Sequence, residues 1–163
     1  MPLQEEIDKT RQEIRTDDYS MSIGEWMSLY QSNESVFLTE EMRKMALNQN
    51  LDYSHIEMAF KRTFDILNQT TGDNSFKRYK SEQDRFLGGF LLSAFEVIAL
   101  GIGYNYQNIP ATNRISDSIK TIWSDSTYKK WSGAGVNAVR RLPHLIRLGR
   151  EVFSPGQGVF SPL

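Results

Sequence analysis

At 163 residues the chain is long enough for about one domain with a sizeable core, and 39% hydrophobic with 24% charged residues is ordinary for a globular protein. The formal charge of -1 excludes a strongly polycationic nucleic-acid binder, and the lack of any cysteine excludes disulfides, thiol nucleophiles and cysteine-based zinc sites together. Charge is unevenly placed: residues 1–35 hold eight acids against three bases, whereas from Ser126 onward there are six bases and the single acid Glu151. An acidic head before a basic tail signals a partner.

The opening MPLQEEIDKTRQE is polar and acidic where a secretory signal needs a basic start and an apolar run, so a cytoplasmic protein is expected. Leu3, Ile7 and Ile14 share one helical face and predict an amphipathic helix over 3–15. Ser22 with Glu25 three places later is a capping-box pattern, opening a second helix over 23–31 in which Ile23, Trp26, Met27 and Tyr30 fall at helical spacing. The pattern breaks around Gln31 to Leu38, after which Thr39 reads as the cap of a helix over 39–48.

Ser54 and Glu57 form another capping box, followed by the stripe Ile56, Ala59, Phe60, Thr63, Phe64 and Leu67, which predicts a helix over 55–70 closed by Thr71 and Gly72. The polar connector DNSFKRYKSEQD leads to RFLGGFLLSAFEVIALGIGY, Arg85 to Tyr104, apolar on every face of a helix and therefore expected to be buried over 85–103. A membrane span competes, but Ser93, Glu96 and four glycines interrupt the run. It falls short of the roughly 18 to 20 uninterrupted apolar residues that spanning requires, so a core helix is the reading adopted.

After a loop at NYQNIPATN, Ile115, Ile119, Ile122 and Trp123 predict a short amphipathic helix over 112–124. Ser124 to Trp131 reads as a connector, SGAGV as a turn, and Pro143 as the first residue of a final helix, PHLIRLGREVF. The tail, residues 156–163, is rich in Pro, Gly and Ser and expected to be mobile. No strand pattern is long enough to build a sheet, so the expected fold is all-α, with the amphipathic helices packed around the helix at 85–103.

Candidate chemistry is sparse. His55 and His144 lie far apart without ligand spacing, and no Gly-x-Ser-x-Gly elbow is present, so no metal ligand, cofactor or catalytic residue is assigned. Glu96, a carboxylate amid FLLSAFEVIAL, must reach the surface, pair with a base or take up a proton. It reads either as an acid–base catalyst or as a buried ion pair with Arg140 or Arg141, and the absence of a second catalytic carboxylate favours the pair. The glycines of Gly133 to Gly135 before Arg140 and Arg141 could cradle a phosphate, but they lack the Gly-Lys-Ser/Thr ending of a P-loop and read better as a hinge. Lys129, Lys130, Arg140, Arg141, Arg147 and Arg150, with Tyr128 and Trp131 among them, form a basic and partly aromatic set suited to nucleic acid, or equally to the acidic head of this or another copy.

Two separated blocks resemble one family. EEIDKTRQEIRTDDYSMSIGEWMSLYQSNE, Glu5 to Glu34, is similar to the opening of GmrSD-type phage-defence proteins, whose ParB-like N-terminal domain is catalogued as a domain of unknown function. Leu38 to Pro155 resembles a later part of the same proteins, above all in AFKRTFDILN, FKRY, RFLGGFLLSAFEVIALGIGYN and SGAGVNAVRRLPHLIRLGREVFSP. The resemblance implies descent from proteins whose ParB-like domain is linked to nucleotide hydrolysis and is often joined to an HNH nuclease domain. The family's Asp-Gly-x-Gln-Arg motif has no counterpart, since Glu34 passes almost directly into Ser35, Val36 and Phe37, and nothing like an HNH motif follows. The implied organisation is 1–34 as the family opening and 35–155 as a helical domain. The implied function is a non-catalytic, shortened relative that binds a full-length relative or itself; the alternative is a nucleic-acid-binding module using the basic C-terminal segment.

Overall fold

The computed structural model describes residues 34–109 and 112–153. The helices expected at 3–15 and 23–31, the acidic head and the tail at 156–163 lie outside the described residues. Among these residues the chain is mostly helical, and it divides into two compact units, Met1–Leu51 and Asp52–Leu163.

The described part of the first unit is α1, Glu34–Leu47. It runs through the junction where the sequence pattern breaks, and Thr39 is not its cap. With a backbone carbonyl one turn back, the Thr39 hydroxyl donates to Ser35 O at 2.9 Å and is satisfied inside the helix.

In the second unit, α2 (Tyr53–Thr70) begins two residues earlier than the Ser54/Glu57 pattern suggests, because Asp52 is the N-cap and its Oδ1 accepts from His55 N at 3.0 Å. Glu57 pairs instead with Lys61, one turn on. The expected connector after Gly72 holds two short 3-10 turns and a small antiparallel hairpin, β1 (Arg78–Lys80) and β2 (Arg85–Leu87), paired Arg78 to Leu87, Tyr79 to Phe86 and Lys80 to Arg85. Asp84 turns the hairpin at a φ of 44°, a left-handed conformation that aspartate tolerates better than most residues. The pair was not foreseen because each strand is only three residues long.

The hairpin also corrects the central helix, which is α3 at Leu92–Tyr104 rather than 85–103. Gly88 takes a φ of 85°, outside the right-handed helical region, so the chain leaves β2 through Gly88 and Gly89 before helix can start. Leu91 N then donates to Phe76 O at 3.0 Å, and the rings of Phe76, Phe90 and Phe95 cluster over this turn. Nor is α3 buried on every face: Ala94, Val97, Ile98, Ala99 and Ile102 are in the core, whereas Leu92, Leu100 and Tyr104 are exposed.

Then come α4 (Thr112–Ile122), α5 (Ser126–Trp131) and α6 (Ala138–Phe153). The stripe Ile115, Ile119 and Ile122 is wholly buried, as its spacing predicts. Helix α5 replaces the expected connector because Asp125 caps it, accepting from Tyr128 N at 2.9 Å, and because the Tyr128 side chain is buried against Trp123. Helix α6 starts at Ala138, so Pro143 lies inside it rather than at its head. Proline removes one helical hydrogen bond, and the first turn is held by Asn137, whose Oδ1 accepts from Arg140 N at 3.0 Å, and by burial of Ala138.

The core forms where α2 and α6 pack on α3 and α4 packs on α2 and α6, with Ile66, Ile98, Ile102, Leu145 and Phe153 wholly buried. Helix α2 runs antiparallel to α3, since His55 meets Tyr106 just past the end of α3 while Gly103 faces the Thr63 hydroxyl further along. Helix α6 runs parallel to α3, touching it at Glu96–Arg141, Gly101–Gly149 and Asn105–Arg150 in succession. The middle contact is backbone against backbone. A Cβ added at Gly101 would lie 2.5 Å from the Gly149 carbonyl carbon and oxygen, and one added at Gly149 would intrude on the Val97 carbonyl. Because backbone cannot yield as a side-chain tip can, Gly149→Ala and Gly101→Ala are each expected to destabilise the fold by about 2 kcal/mol or more in urea unfolding. Gly133→Ala, with open space around its Cβ position and no positive φ, should stay within about 0.5 kcal/mol of the parent.

Candidate functional site

Glu96 is 5% exposed on the inner face of α3, so its charge must be compensated. Arg141, on the first turns of α6, does this with a two-pronged contact: Nε donates to Oε2 and Nη2 to Oε1, each at 2.7 Å. The remaining guanidinium nitrogen, Nη1, donates to Val136 O at 2.9 Å and so ties the turn before α6 to the same group. Both carboxylate oxygens face a planar fork, the arrangement that makes arginine–carboxylate pairs strong and directional. Of the two arginines considered from sequence, Arg141 is the partner and Arg140 is exposed.

The basic residues have diverse surroundings. Arg141 is bound to Glu96, Arg147 pairs with Glu151 at 2.9 Å along its own helix, and the Arg150 guanidinium lies 4.0 Å over the Tyr104 ring. Among the described residues buried Arg150 Nε has no hydrogen-bond acceptor, and the Tyr104 ring face lies against the guanidinium. Lys130 Nζ sits 5.1 Å from the centroid of the Trp131 ring, which also stacks with His144 at 3.8 Å between centroids. Lys129 and Arg140 are exposed. Of the aromatic residues grouped with this set, Trp131 is half-buried and Tyr128 is buried, its hydroxyl 3.1 Å from Ser93 Oγ, and burial raises the Tyr128 pKa above the usual tyrosine value.

Sequence reasoning missed a cavity of about 560 Å³ between the hairpin and the α4–α5 corner, lined by Arg78, Tyr79, Lys80, Ser81, Glu82, Gln83, Lys120, Trp123, Ser124 and Lys129. The signal was present in FKRYK, but a basic run inside a polar connector reads as a solvated loop until β1 and α4 are brought together. Its rim is ordered by Asp84, whose Oδ1 accepts from the Tyr79 hydroxyl at 2.7 Å and from Lys120 Nζ at 3.2 Å. These contacts lower the Asp84 pKa, the tyrosine hydrogen bond first and Lys120 second, and raise those of Tyr79 and Lys120, chiefly through their hydrogen bonds to Asp84.

The histidines are engaged with aromatic rings, His55 through a 2.9 Å contact of its Nδ1 with the Tyr106 hydroxyl and His144 through Trp131. Among the described residues no group of three or more His, Cys, Asp or Glu side chains is placed to hold a metal ion, and no helix is long and apolar enough to cross a membrane. Comparison with family models, curated proteins and solved structures finds no match to this chain.

Two outcomes follow from this geometry. Arg141→Met, which strands the Glu96 carboxylate, is expected to lose roughly 3–5 kcal/mol in chemical denaturation, and the double variant Glu96→Gln/Arg141→Met to be more stable than that single variant; a double variant as damaged as the sum of its parts would deny the coupling. The Asp84 carboxyl, followed by NMR, should titrate below ordinary aspartates and move up in Tyr79→Phe. Because its folded pKa lies below the unfolded one, its small contribution is present above the unfolded value and is lost as pH falls through the folded value.

Proposed function

We propose that this chain is a non-catalytic helical binding module, a shortened relative of GmrSD-type proteins that acts by associating with protein, either a second copy of itself or a full-length relative. One observation carries the reading. The apolar stripe of α2 enters the core only from Thr63 onward, and its first half is left at the surface: Phe60 is 63% exposed and Ile56 38%.

Phe60 touches Phe64, whose ring packs on the core, with centroids 4.7 Å apart, so the exposed ring continues the core outward as a supported apolar surface. Met58 is also exposed on this part of α2. Contiguous apolar surface of this kind favours association, and spacings of three and four residues on a helix are those of helix-in-groove recognition. The Glu96 carboxylate, the main candidate for chemistry in the sequence, is bound at both oxygens to Arg141, which suits a structural role.

Light scattering across a concentration series is expected to show a defined dimer or larger assembly that Phe60→Glu disperses, since a charge at a buried contact is costly. A strictly monomeric protein that also recovers no full-length relative from host lysate would sink the reading. Persistence of the assembly in Phe60→Glu would move the contact away from α2.

A further inference from the structure

We propose that the cavity beside the hairpin is a binding site for a small phosphate-bearing ligand. Four cations from three elements converge on it: Arg78 and Lys80 from β1, Lys120 from α4 and Lys129 from α5. Glu82 is the single carboxylate among the lining residues. Asp84 on the rim pairs with Lys120 at 3.2 Å, and among the described residues no carboxylate makes an ion pair with Arg78, Lys80 or Lys129.

Holding like charges around one concavity is unfavourable, and an anion that enters relieves it. Arginine and lysine together suit phosphate, the first as a fork and the second as a point charge. Tyr79, whose ring lies 5.2 Å from that of Phe86 and 5.1 Å from Lys120 Nζ, and Trp123 line the cavity beside the cations. An aromatic ring or sugar attached to the phosphate has surface to lie on.

Size selects a small molecule over a polymer. An open cavity of about 560 Å³ is in the roughly 300–1,000 Å³ size range of small-molecule sites, whereas nucleic acid needs a basic track extending along several phosphates. The whole chain has a formal charge of -1, and Arg141, Arg147 and Arg150 are engaged by Glu96, Glu151 and Tyr104.

The test is titration calorimetry on the full chain with pyrophosphate and, separately, with phenyl phosphate, backed by thermal melts. Both probes are expected to bind and to raise the melting temperature, phenyl phosphate gaining over inorganic phosphate if its ring uses Tyr79 and Trp123. Lys80→Gln/Lys129→Gln should weaken both by about tenfold or more, the scale of losing charge-assisted hydrogen bonds. Both lysines are exposed, and an unchanged helical circular dichroism spectrum and melt without ligand would confirm that this variant is folded. Arg140→Gln, exposed and outside the cavity, should bind as the parent does. No binding of either probe at millimolar concentration overturns the proposal, as does equal weakening in Arg140→Gln. Tighter binding of a single-stranded oligonucleotide than of either probe, with steep salt dependence, would also overturn it in favour of a nucleic-acid surface.

Discussion

The second unit depends on the approach of two backbones. At Gly101 and Gly149 helices α3 and α6 pack with no side chain between them, close enough that a single methyl group would collide with main chain. Glycine is an unfavourable helix residue, costing about 1 kcal/mol relative to alanine, and that cost is offset here by the packing the approach allows. On one side of the crossing the Glu96–Arg141 pair joins the helices, and on the other Asn105 Nδ2 donates both to Gly101 O and to Arg150 O. The crossing thus has a steric centre between two polar contacts. Apolar packing supplies cohesion without direction, whereas the charged fork and the amide fix how the parallel helices align.

The same contacts determine which charges remain for binding. Arg141 is committed to the interior by Glu96, and Arg150 lies on the Tyr104 ring. Lys129 is placed by the short helix α5 beside the basic residues of β1, fifty residues earlier in the chain. The electrostatic surface is therefore a product of the fold, and a cluster in sequence is a poor guide to a cluster in space. Apolar surface behaves differently. It persists where a stripe is longer than the element it packs against, as in α2, whose first half continues past the part buried with Thr63, Ile66 and Leu67.

Helix periodicity was legible where a regular apolar stripe faced the core. Ile115, Ile119 and Ile122 went to the core as spaced, and α2 ended at Thr71 and Gly72 as the sequence implies. Starts were read less well, because several residues near each start could cap it: Asp52 outcompeted Ser54, and Asn137 made Pro143 an interior residue. The run from Arg85 looks like one buried helix because its apolar residues surround the axis, yet Gly88 and the pairing of Phe86 with Tyr79 turn its first part into a strand. The burial of Glu96 and its need for an arginine were visible in the sequence; which arginine was not.

What the sequence determined by itself is the local and compositional part: a mostly helical chain without cysteine chemistry, an apolar central segment, and an isolated carboxylate that required a partner. Those properties follow from side-chain type and spacing over one or two turns of helix. Tertiary structure decided the rest, namely the parallel glycine-to-glycine crossing, the choice of Arg141, and the assembly of Arg78, Lys80, Lys120 and Lys129 around one cavity. Each of these depends on residues far apart in the chain, whose proximity is set by how helices and hairpin pack around the core and by no periodicity that either segment carries alone.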